Sequence, residues 1–212
     1  MALLNVAPTK SGLLALRAQL AFAEEGYDLL EQKRQILIFE LMRRAALAAG
    51  MERKTGEILG RAFAALREAE LDVGSAALER SALGQGMDYQ VSLSEQRLMG
   101  IRLPAAAARA EEPGVRFGLT GTSANADAAM LAFAEVLPLA AELAGLQNTV
   151  LRLARELRKT QRRCNALSRT IIPNYRETIR FISGTLEERE RESFIILKMI
   201  RDRLAAARAT DG

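Results

Sequence analysis

From residue 13 to residue 48 the chain repeats at steps of alternately three and four: Leu13, Leu16, Leu20, Ala23, Tyr27, Leu30, Arg34, Leu37, Leu41, Arg44 and Ala48. Only Arg34 and Arg44 in that series are not apolar. A 3-4 alternation held over five heptads is the seam of a long paired helix, because 3.5 residues per turn keeps one stripe facing a partner. Pro8-Thr9-Lys10-Ser11 stands just before it, with Thr9 and Ser11 as N-cap candidates. Ile58, Leu59, Ala62, Phe63 and Leu66 carry helical character on to about Leu71, while Gly50, Gly56 and Gly60 mark where that helix is expected to bend.

The period changes in the middle third. Tyr89, Val91 and Leu93 alternate with polar residues; Leu98-Met99-Gly100-Ile101-Arg102-Leu103 runs to Pro104; Val115, Phe117 and Leu119 alternate again. Period two over four to six residues predicts short strands, most simply a hairpin or ribbon. Ala105 to Gly114 reads as an alanine-rich loop. Thr122-Ser123 resembles an N-cap, with Asp127 in the first turns of the next helix, and Pro138 predicts a break or kink.

The 3-4 pattern returns at Leu143, Leu146, Val150, Leu153, Leu157, Thr160, Cys164, Leu167 and Ile171. Beyond Pro173 it resumes one residue out of step, at Tyr175, Ile179, Ile182, Leu186, Ile196 and Ile200. A proline within such a pattern kinks the helix without ending the seam, so a helix from about Leu139 to about Ala207 is expected.

Two helices of nearly equal length, each on the order of 90–100 Å at 1.5 Å per residue, each expose an apolar seam that water does not tolerate. Folding back on one another solves both problems. The predicted fold is mainly α: a long antiparallel two-helix coiled coil of N- and C-terminal helices, with a small middle insertion of short strands (a β-hairpin) and a short helix. The expected divisions are 1–71, 72–138 and 139–212. A four-helix bundle, broken near position 55 and at Pro173, is the competing solution. If partners' numbers add to about 216 in the pair, Arg34 lies near Ile182, within a turn or so of Glu187. Arg34 and Arg44 then either snorkel to the seam's edge or, with Pro173, fix the register.

Composition narrows the function classes. Of the 212 residues 49% are hydrophobic but only 5% aromatic, which suits a coiled-coil seam better than a large globular core. Histidine is absent, which removes the usual general base near neutral pH and the commonest metal ligand. Cys164 is the single cysteine and lies on the apolar stripe, so it reads as a core thiol in a reducing setting. Arg17 and Glu24-Glu25 interrupt any signal-peptide pattern, and no uncharged apolar run of about 20 residues suggests a membrane span.

No catalytic constellation stands out, and no cofactor or metal site is expected. Gly118-Leu119-Thr120-Gly121-Thr122-Ser123 lacks the spacing and the lysine of a phosphate-cradling loop. Glu187 to Glu192 interleaves with arginines at helical spacing, the pattern of a solvated face. One charge feature is concentrated. Arg152, Arg155, Arg158, Lys159, Arg162, Arg163, Arg169, Arg176 and Arg180 face only Glu156 and Glu177 as anions in the same stretch. Such a band suits an acidic protein surface or nucleic acid phosphates. The protein surface is favoured, because only Tyr175 offers a stacking ring at the band's edge.

Several segments resemble the D subunit of V-type and archaeal-type rotary ATPases. They are Val6-Ala7-Pro8-Thr9-Lys10, Leu29-Leu30-Glu31-Gln32-Lys33-Arg34, Leu98-Met99-Gly100-Ile101-Arg102-Leu103-Pro104, Arg162-Arg163-Cys164-Asn165-Ala166-Leu167, Ile171-Ile172-Pro173, and Leu186-Glu187-Glu188-Arg189-Glu190-Arg191-Glu192. Their order and separation match that family across essentially the whole chain. The resemblance implies a non-catalytic central stalk, a rotor shaft in a proton- or sodium-translocating ATPase or ATP synthase. It implies as partners the catalytic and regulatory subunits of the hexamer, a small F subunit, and a funnel-shaped subunit above the membrane ring. It further implies a cytoplasmic, peripheral location and a middle hairpin toward the membrane end, linked to control of activity. The basic band would then face the hexamer. A stand-alone coiled-coil adaptor or nucleic-acid-binding helical protein is the alternative.

Overall fold

The structure, a computed structural model, describes residues 4–84, 89–110 and 123–210. Helix α1 spans Lys10–Val73 and a short α2 follows at Ser75–Gly84. Strands β1, Tyr89–Leu98, and β2, Ile101–Ala110, form an antiparallel hairpin. Helix α3, Ala124–Ala166, passes through a π-helical turn at Leu167–Ile171 into α4, Ile172–Thr210. The chain divides into two compact units, Met1–Arg34 with Lys159–Gly212, and Gln35–Arg158.

Local chemistry explains where the helices start and stop. The Gly12 amide donates to Thr9 Oγ1 at 3.1 Å, making Thr9 the N-cap of α1. Gly74, at φ +79, ends α1 in the left-handed conformation a side chain resists, and its amide reaches back to Glu70 O at 3.0 Å. Ser123 caps α3, accepting from the Ala126 amide at 3.3 Å, and Asp127 lies in the first turn beside the positive helix end. Thr122, its neighbour in the predicted cap, lies outside the described residues.

All eleven predicted seam residues of α1 are buried or half-buried, and the helix is unbroken at Gly50, Gly56 and Gly60. Helix α3 starts at Ala124 and runs through Pro138, so of the expected break or kink there is no break, and the expected start at Leu139 is corrected. The phase shift near Pro173 has a definite cause. The Ile172 amide bonds to Leu167 O, an i to i+5 step that inserts one residue into the turn. Ile172 is therefore buried where the uninterrupted pattern points to Ile171, which is exposed.

In the unit holding both chain ends, α1 and α4 run antiparallel. Lys10 meets Glu190 at 2.7 Å, Arg176 meets Glu24 at 2.6 Å, and Arg189 Nη1 donates to Pro8 O at 3.3 Å. The first two pairs each add to 200, not 216; the π-turn and the burial of Leu16, Ala23, Cys164 and Ile182 set that registration. The Thr178 hydroxyl is fully buried; it donates to Asn174 O at 2.7 Å and accepts the Leu4 amide at 3.1 Å.

In the second unit α1 and α3 are also antiparallel. Asn125 donates to Asp72 at 2.8 Å, and Phe63 meets Phe133 edge-on with ring centres 5.3 Å apart. The core centres on Leu37, Leu103 and Leu153, with Leu41, Leu98, Ile101 and Leu157 packed around them. An 18-residue window within Ala124–Arg203 is long and apolar enough to cross a membrane by length and composition, although Glu135 and Glu142 interrupt its apolar run.

The hairpin corrects the sequence reading in three ways. Met99 and Gly100, at φ 50 and φ 80, form the two-residue turn, so the run 98–103 is split between two strands. Ala105 to Ala110 belong to β2 and not to a loop. Pro104 lies inside that strand, opposite Glu95, where the register turns the backbone outward and no ladder hydrogen bond is lost. The hairpin also packs beside α3 at Gly145 to Leu157. The predicted strand at Val115, Phe117 and Leu119, the Gly118–Thr122 loop, and positions 111–114 of the predicted loop lie outside the described residues.

Candidate functional site

The basic band does not behave as one surface. In the second unit Arg152 is used internally, with Nη1 donating to Arg102 O of β2 at 3.0 Å. Arg155 and Arg158 are exposed, and among the described residues no ion pair involves them. In the unit with the chain ends, Lys159, Arg162 and Arg163 are exposed at i, i+3 and i+4, which puts them on one helix face. They too have no carboxylate partner among the described residues. Arg169 is exposed inside the π-turn. Arg176 is already paired with Glu24, and Arg180 lines a shallow open cleft with Pro173, Arg176 and Glu177. Among the described residues the candidates without a carboxylate partner or internal hydrogen bond thus reduce to Arg155, Arg158, Lys159, Arg162, Arg163, Arg169 and Arg180.

Unpaired surface cations on a stiff helix keep their full field for a partner, whereas Arg176 is partly neutralised within the chain. The cluster is mechanically well held. Thr160 and Cys164 are buried next to it in sequence and fix the face that the cations present.

The two seam arginines behave differently from a cross-helix carboxylate pair. Arg34 lies between Glu31 on its own helix and Gln161 across the seam, whose side-chain oxygen accepts from Nη1 at 2.9 Å. It is not near Ile182. The Glu31 carboxylate, acting first through its hydrogen bond, holds the Arg34 guanidinium above its ordinary range. Its Nε is buried without a partner. Arg44 bonds Glu40 at 3.4 Å, one turn back on the same helix, and Arg43 reaches the same carboxylate at 3.7 Å. Sequence spacing held the clue to these partners, since Glu31 and Glu40 lie three and four residues before them; Gln161 had no comparable signal.

Cys164 sits beside this polar layer. Burial pushes its thiol up, the Glu31 charge adds to the rise, and Arg34 opposes it. The result is an inert thiol. Among the described residues no group of three or more Cys, Asp or Glu side chains is placed to hold a metal ion.

Residues 12–202 match the family of the ATP synthase D subunit. Among similar curated proteins, the V-type ATP synthase D subunit of Thermotoga neapolitana is 36% identical, covering 95% of this chain and 100% of its own length. The A-type ATP synthase D subunit of Pyrococcus furiosus is 38% identical, covering 96% and 97%. That of Methanosphaera stadtmanae is 36% identical, covering 93% and 94%. With matches of this extent, joined to two long antiparallel-paired helices and a middle hairpin, the chain belongs to the D-subunit family of ATP synthases.

Proposed function

We propose that this chain is the central rotor shaft of a V/A-type, proton- or sodium-translocating ATPase or ATP synthase, coupling ATP turnover in a catalytic hexamer to rotation of a membrane ring. It carries no catalytic residues of its own in this reading. The observation that carries it is the set of exposed cations, without carboxylate partners among the described residues, along α3 and the π-turn after it. A shaft must pass equivalent stator faces without locking, and long cationic side chains exchange partners more readily than interlocked apolar knobs separate. Arg162, Arg163 and Arg169 meet acidic loops of the catalytic and regulatory subunits.

Two further features support membership of a larger assembly. Phe194, Ile195, Ile196 and Leu197 are consecutive and exposed on α4, an apolar girdle that a chain on its own leaves in water. Phe39 and Met42 are exposed on α1, on the face away from buried Leu37. The small F subunit and the funnel-shaped subunit are the further partners proposed, and the location is cytoplasmic and peripheral, through the complex. Replacing Arg162, Arg163 and Arg169 together with glutamine is expected to lower coupled ATPase activity in a reconstituted complex while the chain still assembles. Wild-type turnover and torque in that variant would overturn the assignment of these residues.

A further inference from the structure

The hairpin is attached to the helices by more than apolar contact. The register of a two-residue turn makes Leu98–Ile101, Gln96–Leu103 and Ser94–Ala105 the hydrogen-bonded pairs, so Arg102, Pro104 and Ala106 turn their backbone groups away from β1. Those groups are the ones that α3 meets. Arg152 captures Arg102 O at 3.0 Å, and Thr149 Oγ1 captures Pro104 O at 2.9 Å. Beside Gly145, the Ala106 nitrogen lies 2.8 Å from where a Cβ would stand, a space that only glycine leaves open. Gly145, Thr149 and Arg152 recur at i, i+4 and i+7, a single face of α3 given over to the edge of β2.

The place of attachment matters as much as the means. On α1 the most buried positions step by seven through Thr55, Ala62 and Ala69, but by eleven from Leu37 to Ala48. A step of eleven is three turns at about 3.67 residues each, which relaxes the left-handed supercoil locally. Between those two positions the seam holds Arg44, turned to Glu40, and only Leu41 as a large apolar side chain. Leu103 of β2 fills this level, fully buried against Leu37 and Leu153, with Leu98 and Ile101 beside it.

We infer that the β-hairpin is a mechanical brace: it clips to Gly145, Thr149 and Arg152 and inserts Leu103 to stiffen the stretch of helix pair around residues 37–48 and 149–157. The brace is a property of the chain itself and stands whether or not the chain rotates in a complex.

Hydrogen exchange on the full chain separates a brace from a passenger. Gly145→Ala raises helix propensity, so with a passenger hairpin the amides of 149–157 exchange more slowly or unchanged. With a brace, the added methyl lifts β2 and those amides, together with 37–48, exchange at least about tenfold faster, while 55–69 stays within about twofold. Thr149→Val is the milder variant, removing only the hydroxyl from Pro104 O; acceleration of about three- to tenfold in the same two helical stretches is expected. Slower or unchanged exchange at 149–157 in Gly145→Ala would overturn the inference. So would acceleration in Thr149→Val confined to hairpin residues 90–109.

Discussion

Leu37 and Phe39 lie two residues apart on α1 and invert the usual expectation about side-chain size. Leu37 is 0% exposed, enclosed with Leu103 and Leu153, whereas the larger Phe39 is 67% exposed. Truncating Leu37 to alanine removes three carbon groups from a closed core, about 2.4 kcal/mol at about 0.8 kcal/mol per group. Incomplete collapse of the surrounding leucines adds to that loss, for a total of about 3–4 kcal/mol, within the usual range for such truncations. Truncating Phe39 in the isolated chain removes little buried surface and should change stability by no more than about 0.5 kcal/mol. Equilibrium urea unfolding followed by circular dichroism, with the transition midpoint and slope fitted for each variant, measures both effects. The reasoning is refuted if Leu37→Ala costs under about 1 kcal/mol or if Phe39→Ala costs as much as Leu37→Ala. Within an assembled complex the order should narrow, because Phe39 then has a partner to lose.

The helix registration is open to direct chemical test. In a Cys164→Ala background, cysteines at Glu24 and Arg176, whose long side chains meet at their tips, should be bridged by a bifunctional thiol reagent of matching span, and cysteines at Leu13 and Arg203 should not; the opposite yields would restore the 216 registration. Deleting Ser168 should remove the residue that the π-turn absorbs, so that an unbroken α-helix keeps Ile172 and all that follows on the same face and the 24/176 cross-link persists; a sharp fall in its yield would show that the turn does not take up the offset. Cys164 should react with a thiol reagent far more slowly than an exposed cysteine, because it is buried and its thiol is pushed up. That raised value has a pH consequence: a folded-state pKa above the unfolded one contributes stability present below the ordinary thiol range and lost as pH rises through the folded value. Wild-type protein should therefore lose more stability than Cys164→Ala between neutral pH and alkaline pH, and equal losses in the two would count against it.

The parts of the fold legible in the sequence are those governed by one repeated periodicity. The α1 seam from Leu13 to Ala48 is a 3-4 pattern that only a paired helix explains, and even its two arginines lie where the pattern puts them. The one-residue offset beyond Pro173 was visible too, though the pattern alone does not distinguish a kink from the π-turn that produces it. The hairpin was half legible. Tyr89, Val91 and Leu93 alternate, but Met99-Gly100 is not a usual turn pair, and alanines have little strand preference of their own. Strand β2 holds its place through partners distant in sequence, Gly145, Thr149 and Arg152, which no local pattern reveals. The same limit applies to the basic band. Its charge count was plain, but the internal use of Arg152 and the pairing of Arg176 with Glu24 depend on tertiary contacts.

The central claim, that this chain turns as the shaft of a rotary complex, is tested most directly by watching it turn. A probe fixed to a cysteine at an exposed position of this chain, such as Arg67 in a Cys164→Ala background, can be followed in a surface-held complex of the hexamer and its stalk subunits during ATP hydrolysis. Unidirectional rotation in discrete steps that repeat with the hexamer's three-fold symmetry is expected, and rotation should stop when this chain is cross-linked to the hexamer. ATP hydrolysis at an undiminished rate with the probe stationary, or with this chain cross-linked in place, would contradict it.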